Sequence, residues 1–271
     1  EFSLPDSEYA DDSGLLFCSR ADVEIESPRF VAHCERWGME VHQGTLNDDG
    51  EVEKDSKTEV LFCPAPAHTY AEPSTFDGAN LDRIALPGNR FFPVVDEFPY
   101  LGDMVARSCG DGTAVERRIR AAGKAFGALR GCIFSTTSVS ATAKRAIFES
   151  VVLSILLYGS ESWALTEVNR QKLRVFFNQC VRAMCRVTRK HTWEHRISSQ
   201  ELAARLGLDT LDAYITRRQL RWAGHVSRMP FHRLPRRMLS AWVPHQRRPN
   251  GAPRMTYGRS LGKALDQFGI D

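Results

Sequence analysis

The stretch Ser7-Glu8-Tyr9-Ala10-Asp11-Asp12-Ser13-Gly14-Leu15-Leu16-Phe17-Cys18 decides what the first part of the chain is. Apolar and polar residues already alternate ahead of it at Phe2 and Leu4, acidic and small residues gather in its middle, and an unbroken apolar run closes it. Alternation sends side chains to two faces of a strand, and Asp, Ser and Gly are the residues a tight turn uses. The reading is a hairpin, Glu1 to Tyr9 and Leu15 to Cys18, turning at Asp11-Asp12-Ser13-Gly14. Because alternation is under way at Phe2, the chain is expected to begin inside a sheet whose earlier strands lie upstream.

Working outward, Pro28 opens a helical segment in which Phe30, Val31, Cys34 and Trp37 recur at helical spacing, and Gly38 closes it. A strand at Met39-Glu40-Val41, an acidic loop from Gln43 to Ser56 and a strand from Glu59 to Cys63 come next. Residues 64–90 hold Pro64, Pro66, Pro73 and Pro87 without periodicity and read as a long irregular connection. A second hairpin is expected from Phe91 to Val95 and Phe98 to Leu101.

Beyond Gly102 the period changes to helical. Thr113 is the expected cap of a helix through Arg130, Ser140 of one running to Gly159, and Thr166 of a third. In that third helix Leu173, Phe176, Phe177, Cys180, Val181 and Met184 form one apolar stripe. Ser198-x-x-Glu201 is a capping box ended by Gly207, and Asp209 is the expected cap of a last helix through Trp222. The fold class is therefore α+β: antiparallel hairpins with one helix, then an all-α bundle, then a basic, partly disordered tail. The domains are expected at 1–104, 105–229 and 230–271.

Charge separates these parts. The net +3 of the 271 residues conceals 7 basic and 22 acidic residues in 1–104 against 29 and 11 in 105–271. From Ala213 to Leu265 there is no acidic residue and there are twelve Lys or Arg, interleaved with Trp222, Phe231, Trp242 and Tyr257. Basic side chains among aromatic rings suit a polyanion whose bases stack. No apolar run approaches the roughly 18 residues of a membrane-spanning helix. Seven cysteines, an odd number with no C-x-x-C pair, point to reduced thiols in an intracellular protein rather than a disulfide framework.

The chemistry centres on Tyr9-Ala10-Asp11-Asp12. Two carboxylates on a tight turn are hard-oxygen ligands for Mg²⁺, and paired ions about 3.5–4 Å apart clamp the attacking and leaving oxygens of a phosphoryl transfer. Neighbouring strand side chains point to opposite faces, so a working site needs a further carboxylate from another strand.

These four residues resemble the polymerase hairpin of reverse transcriptases, and the segments after them are similar in order. The helix, then Trp37-Gly38-Met39-Glu40-Val41, Ser56-Lys57-Thr58-Glu59 and Tyr100-Leu101-Gly102 resemble the succeeding palm motifs and the primer grip. Leu157-Tyr158-Gly159-Ser160-Glu161-Ser162-Trp163 and 220–229, Leu-Arg-Trp-Ala-Gly-His-Val-Ser-Arg-Met, look like the thumb and beyond of non-LTR retrotransposon (LINE-type) enzymes. The resemblance implies that residues 1–104 are the end of a palm, 105–229 a thumb-like domain and 230–271 a basic flexible extension. It implies Asp11 and Asp12 as Mg²⁺ ligands, and Lys57 as the acid that protonates leaving pyrophosphate. Tyr9 would lie near the primer terminus and Tyr100, Leu101 and Gly102 would hold the primer. Arg117, Arg118, Lys124, Arg182, Arg186, Arg217, Arg218 and Arg221 would track phosphates. The implied partners are an RNA template, a DNA primer and the fingers and palm encoded upstream, with no membrane, in the nucleus.

Three features depart from the family: its first catalytic aspartate lies upstream of Glu1, the acidic insertion before Lys57 displaces that residue, and the isolated chain is expected to be inactive. The alternative reading is a non-catalytic nucleic-acid-binding module or a decayed remnant of such an element. Two zinc patterns compete locally: His191-Thr192-Trp193-Glu194-His195, of H-x-x-E-H form, and Cys180, Cys185, His191 and His195 as four ligands. Cys180 lies on the apolar stripe, so packing is the preferred reading.

Overall fold

The structure, a computed structural model, describes residues 6–9, 12–63, 82–108, 110–240, 256–267 and 269. It is α+β, and it divides into two compact units between Cys109 and Gly110.

In the first unit, β1 (Asp6–Tyr9) and β2 (Asp12–Leu15) form a two-stranded sheet whose register places Tyr9 opposite Asp12. Asp12, Ser13 and Gly14, expected in the turn, are thus part of a strand. Helix α1 (Arg20–Arg36) begins two turns before Pro28, because the Ser19 side chain accepts the Asp22 amide and supplies the cap. Pro28 sits within the helix, where it removes one ladder donor without ending it. Gly38, at φ 74°, closes the helix as expected: the Met39 amide reaches back to the Cys34 carbonyl.

The strand expected at Met39-Glu40-Val41 does not form, and the acidic loop from Gln43 to Ser56 is a hairpin. Strands β3 (Gly44–Leu46) and β4 (Val52–Lys54) pair across a turn in which the Asn47 side chain accepts the Glu51 amide. The acidic residues lie on its rim, where water solvates them. Short β5 (Val60–Leu61) runs parallel to β7 (Arg90–Val95), which also pairs with β3 and with β6 (Arg83–Leu86). The sheet order is β4-β3-β7-β5 with β6 beside β7. Gly44 is required at the β3–β7 crossing: a Cβ there would lie 2.5 Å from the Phe91 ring. Thus β7 is the centre of a mixed sheet, and the hairpin expected between Phe91–Val95 and Phe98–Leu101 is replaced by β8 (Glu97–Tyr100) paired with β9 (Asp103–Ala106). The expected irregular connection contains β6; residues 64–81 of it lie outside the described residues. The core of this unit is small: Val23 and Val31 of α1 pack on Ile84, Leu86 and Phe92.

The second unit is helical. Helix α2 (Gly112–Leu129) has its cap position at Asp111, two residues before the expected Thr113, and continues into a π-helical stretch, Arg130–Phe134. Helix α3 (Ala141–Ile147) is capped by Ser140 and passes through a second π-helical stretch, Phe148–Leu153, into the single turn α4 (Ser154–Leu156). Helix α5 (Glu167–Met184) is capped by Thr166. After α6 (Arg189–Glu194) and α7 (Ser199–Arg205), whose Glu201 amide is accepted by Ser198, comes α8 (Leu211–Ser227). Thr210 rather than Asp209 caps α8, since its hydroxyl accepts the Ala213 amide, while Asp209 pairs with Arg217.

The core joins these helices through aromatic rings. Phe126 of α2 stacks on Phe134 at 4.6 Å, Phe148 meets both edge-on, and Phe177 of α5 lies 5.9 Å from Phe148. The α5 stripe residues Leu173, Phe177, Cys180, Val181 and Met184 are all buried there. Burial pushes the Cys180 thiol up to about 12, as expected of a packed rather than a metal-binding cysteine. Cys18, Cys34, Cys132, Cys180 and Cys185 are free thiols.

The region 230–271, expected as a flexible extension, contains α9 (Leu234–Ser240) and α10 (Tyr257–Gln267). Helix α10 packs against α8: buried Gln219 donates both to the Trp163 carbonyl (3.0 Å) and to the Ser260 hydroxyl (3.3 Å), and Ala264 one turn on is buried. The helix forms because Ser260, Leu261 and Ala264 recur at helical spacing, a periodicity hidden beside the Pro-rich residues 241–255, which lie outside the described residues. No helix among the described residues is long and apolar enough to cross a membrane.

Helices α5 and α8 are tied by Asp212, which accepts from Arg170 at 2.8 Å and from two nitrogens of Arg174 at 2.8 and 3.0 Å. Burial works to raise this carboxyl, but the hydrogen bonds and charges of Arg174 and Arg170 together outweigh it and hold it below its ordinary value. A depressed carboxyl stabilises the fold above about pH 4 and loses that contribution as pH falls through its folded-state value. Asp212→Asn should therefore lower stability by about 1–3 kcal/mol at neutral pH. In urea titrations the gap to wild type should close below about pH 4; a gap that stays constant with pH contradicts the ion-pair account.

Candidate functional site

The residues singled out for polymerase chemistry fall on three separate pieces of the first unit. Asp12 is exposed at the end of β2, and Tyr9 opposite it is 66% exposed. Asp11 lies outside the described residues. Lys57 sits on the loop between β4 and β5 with its side chain in solvent. That loop is held firmly: the Lys57 amide donates to His42 Nδ1 (3.0 Å), and the buried Ser56 hydroxyl lies 3.0 and 2.9 Å from the His42 and Thr58 carbonyls. Two residues further on, burial and the nearby Asp55 charge raise the Glu59 carboxyl. Among the described residues no ion pair joins Lys57 to Asp12, and no three His, Cys, Asp or Glu side chains converge to hold a metal. Asp12 thus has no described carboxylate partner with which to complete a two-metal site, and no catalytic step is assigned to it.

Tyr100, Leu101 and Gly102 form the tip of the β8–β9 hairpin. Tyr100 pairs with Asp103 across a two-residue turn with φ 48° at Leu101 and 78° at Gly102. Such a turn needs left-handed backbone at both positions and favours Asn-Gly. Leu101 takes the Asn place and is 40% exposed. An apolar side chain is thus held outward at a position whose backbone costs it about 1 kcal/mol, and Phe98 supports the hairpin by meeting Tyr100 edge-on at 6.3 Å.

The eight basic residues expected on phosphates divide once their surroundings are known. Arg217 is paired with Asp209 (2.8 Å) and lies over Tyr214, and Arg218 donates to the Leu157 carbonyl (3.0 Å) from a half-buried position. Arg118 covers the Tyr158 ring at 4.1 Å. These three hold the helical unit together. Arg117 is half-buried, whereas Lys124, Arg186 and Arg221 are exposed and Arg182 is half-exposed. Lys124, Arg182, Arg186 and Arg221 form no ion pair among the described residues.

The Leu157-to-Trp163 motif is part of the core. Leu157, Ser160 and Trp163 are buried, Gly159 turns the chain at φ 76°, and Arg218 and Gln219 of α8 each bind one of its carbonyls. The second motif, at 220–229, is by contrast an outer face: Arg221, Trp222, His225 and Arg228 are exposed, with the Trp222 and His225 rings 5.7 Å apart. Among the described residues the zinc patterns do not assemble; the His191 and His195 rings lie 4.3 Å apart on the surface, tilted at 49°.

Sequence reasoning missed that α6 carries the most exposed of the described tryptophans, Trp193 at 80%. Its neighbours Arg189, Lys190 and Arg196 were visible as charge, but a zinc pattern drew attention to the histidines instead.

No protein-family model matches the chain, and no solved structure matches it. A transposon-derived protein of Caenorhabditis elegans is similar to it along nearly its whole length: 24% identity over 265 residues, covering 97% of this chain and 86% of that protein.

Two measurements separate structural from contact arginines. Arg218→Ala should destabilise the helical unit by about 1 kcal/mol, since it removes the bond that ties α8 to the Leu157 carbonyl and leaves that carbonyl with the Ser160 amide alone, whereas Arg221→Ala should leave Tm unchanged; equal shifts contradict the division. Leu101→Asn should raise stability by about 1 kcal/mol by relieving the left-handed turn, and thermal melts that show no gain contradict the strain.

Proposed function

We propose that this chain is transposon-derived and forms the C-terminal part of an RNA-directed DNA polymerase of a non-LTR retrotransposon, with the end of a palm in its first unit and a nucleic-acid-binding thumb in its second. The observation that carries this reading is the near-full-length similarity to a transposon-derived protein in a chain whose motifs keep the polymerase order. Further support comes from two sides. The end of β2 and the residues after it leave Leu15, Leu16 and Phe17 exposed, an apolar run that suits cover by a further element. The helical unit keeps an excess of cations after its internal pairs are counted, which suits a phosphate backbone.

Within that reading Asp11 and Asp12 supply two carboxylates toward Mg²⁺, and a third comes from the upstream palm. The metal would stabilise charge on the transferring phosphate. The chain's own residues bind and position: the Leu101 tip contacts the primer strand, and Arg221, Arg228, Lys124 and Arg182 bind phosphates by charge. Such contacts read the shape of an RNA–DNA duplex rather than its sequence.

The test uses this chain joined to its upstream coding region and assayed for primer extension on an RNA template with Mg²⁺. Asp11→Ala and Asp12→Ala should each abolish extension while leaving duplex affinity within about twofold, since neither removes a phosphate-binding cation. Extension that survives both changes overturns the polymerase reading. Failure of the chain to bind an RNA–DNA duplex in a salt-dependent manner overturns the nucleic-acid reading altogether.

A further inference from the structure

Between α5 and α7 the chain leaves the core at Val187 and returns at Ile197. Both side chains pack against the aromatic core, and every residue between them except Thr192 is exposed. The residues flanking these anchors, Arg186 and Arg196, have φ 57° and 52°. In each case the next amide bonds back across the turn, from Val187 to Arg182 and from Ile197 to Thr192. The excursion is therefore a single turn of helix, α6, capped by Thr188 and fixed at both ends, not a free loop.

What α6 presents is chemically unusual for a solvent-exposed turn. Trp193 has no covering side chain and is 80% exposed. The same segment, 186–196, carries Arg186, Arg189, Lys190 and Arg196 against one acid, Glu194, which Lys190 approaches at 3.7 Å. Arg186, Arg189 and Arg196 form no ion pair among the described residues, unlike Arg217. The His191 and His195 rings lie 4.3 Å apart, tilted at 49°. Leaving an indole in water forgoes about 1.5–3 kcal/mol of burial, and concentrating like charge on one short segment adds self-repulsion. Both costs fall if an anion with a flat apolar face lies there.

Unpaired nucleotides have that chemistry: a phosphate for each guanidinium and a base for the indole. In a duplex the base faces are already stacked, so only a single strand or an unpaired end can use the tryptophan. Resting on the nucleic-acid reading above, we infer that α6 is a single-strand contact in which Trp193 stacks on an unpaired base while Arg189 and Arg196 hold the flanking phosphates. The helical unit then has two distinct binding functions, with duplex phosphates met by charge along α8 and an unpaired strand met by stacking at α6.

The experiment measures fluorescence anisotropy of the full chain with a labelled single-stranded oligonucleotide and with the blunt duplex made from it. Trp193→Ala should weaken single-strand binding about tenfold and leave duplex affinity within twofold, while Trp193→Phe should restore most of the loss. Arg189→Ala should weaken single-strand binding and flatten its salt dependence by about one phosphate contact. Because Trp193 is exposed, all three variants should melt as the wild type does. Unchanged single-strand binding by Trp193→Ala overturns the inference and leaves α6 as a protein contact; equal losses for strand and duplex overturn it as well. If the wild type binds duplex but no single strand, the inference fails and the nucleic-acid reading stands, whereas binding to neither defeats both.

Discussion

The helical unit depends on one packing constraint: four phenylalanine rings from different segments must meet at one point. Phe126 and Phe134 stack in parallel, Phe148 closes on both edge-on, and Phe177 brings in α5. Offset and edge-on contacts of this kind add to the large apolar area each ring buries. Phe134 and Phe148 both lie in π-helical stretches. A widened helical turn holds an extra residue, so it rotates the side chains beyond it relative to an α-helix. Phe134 ends one such stretch and Phe148 begins the other, and both rings are fully buried. The caps, the Leu157–Trp163 turn and the placement of α8 are built outward from that meeting point.

Electrostatics then sorts the arginines by what the packing leaves within their reach. Where α8 faces α5 and the Leu157 turn, carboxylates and carbonyls are available, and Arg170, Arg174, Arg217 and Arg218 are consumed by them. Farther along α8 Arg221, and on α6 Arg189, form no ion pair among the described residues, and the same residue type remains a solvated charge. The strongly basic composition is thus only partly a binding surface; a share of it is internal structure. In the first unit the opposite sign prevails, with the acids of the β3–β4 hairpin on its rim and a core too small to enclose Tyr9, Leu16 or Trp37.

How much could be read in advance depends on the range of each signal. Ser140, Thr166 and Ser198 were legible as caps because a cap is settled within three residues. The stripe on α5 was legible because its whole period lies on one helix. The parallel β5–β7 pair and the central position of β7 were not, since pairing partners some thirty residues apart leave no local mark. Pro28 misplaced the start of α1, because proline's usual place is the first turn and here it lies in the third. The π-helical stretches were invisible to any 3.6-residue pattern. For the site, Lys57 and Tyr100–Gly102 could be placed by motif order, but whether a given arginine is free depends on acceptors tens of residues away, such as the Leu157 carbonyl for Arg218.

The two ends of α6 have a consequence for how this chain tolerates change. Left-handed backbone at Arg186 and Arg196 is a position where glycine, lacking a Cβ, would fold with less strain. A sequence shaped by folding alone would drift toward glycine at both, and since the excursion touches the core only through Val187 and Ile197, nothing in the packing would oppose it. Glycine at either end would therefore relieve strain while Val187 and Ile197 stayed on the core, so the backbone of the excursion can be eased without loosening its attachment to the bundle.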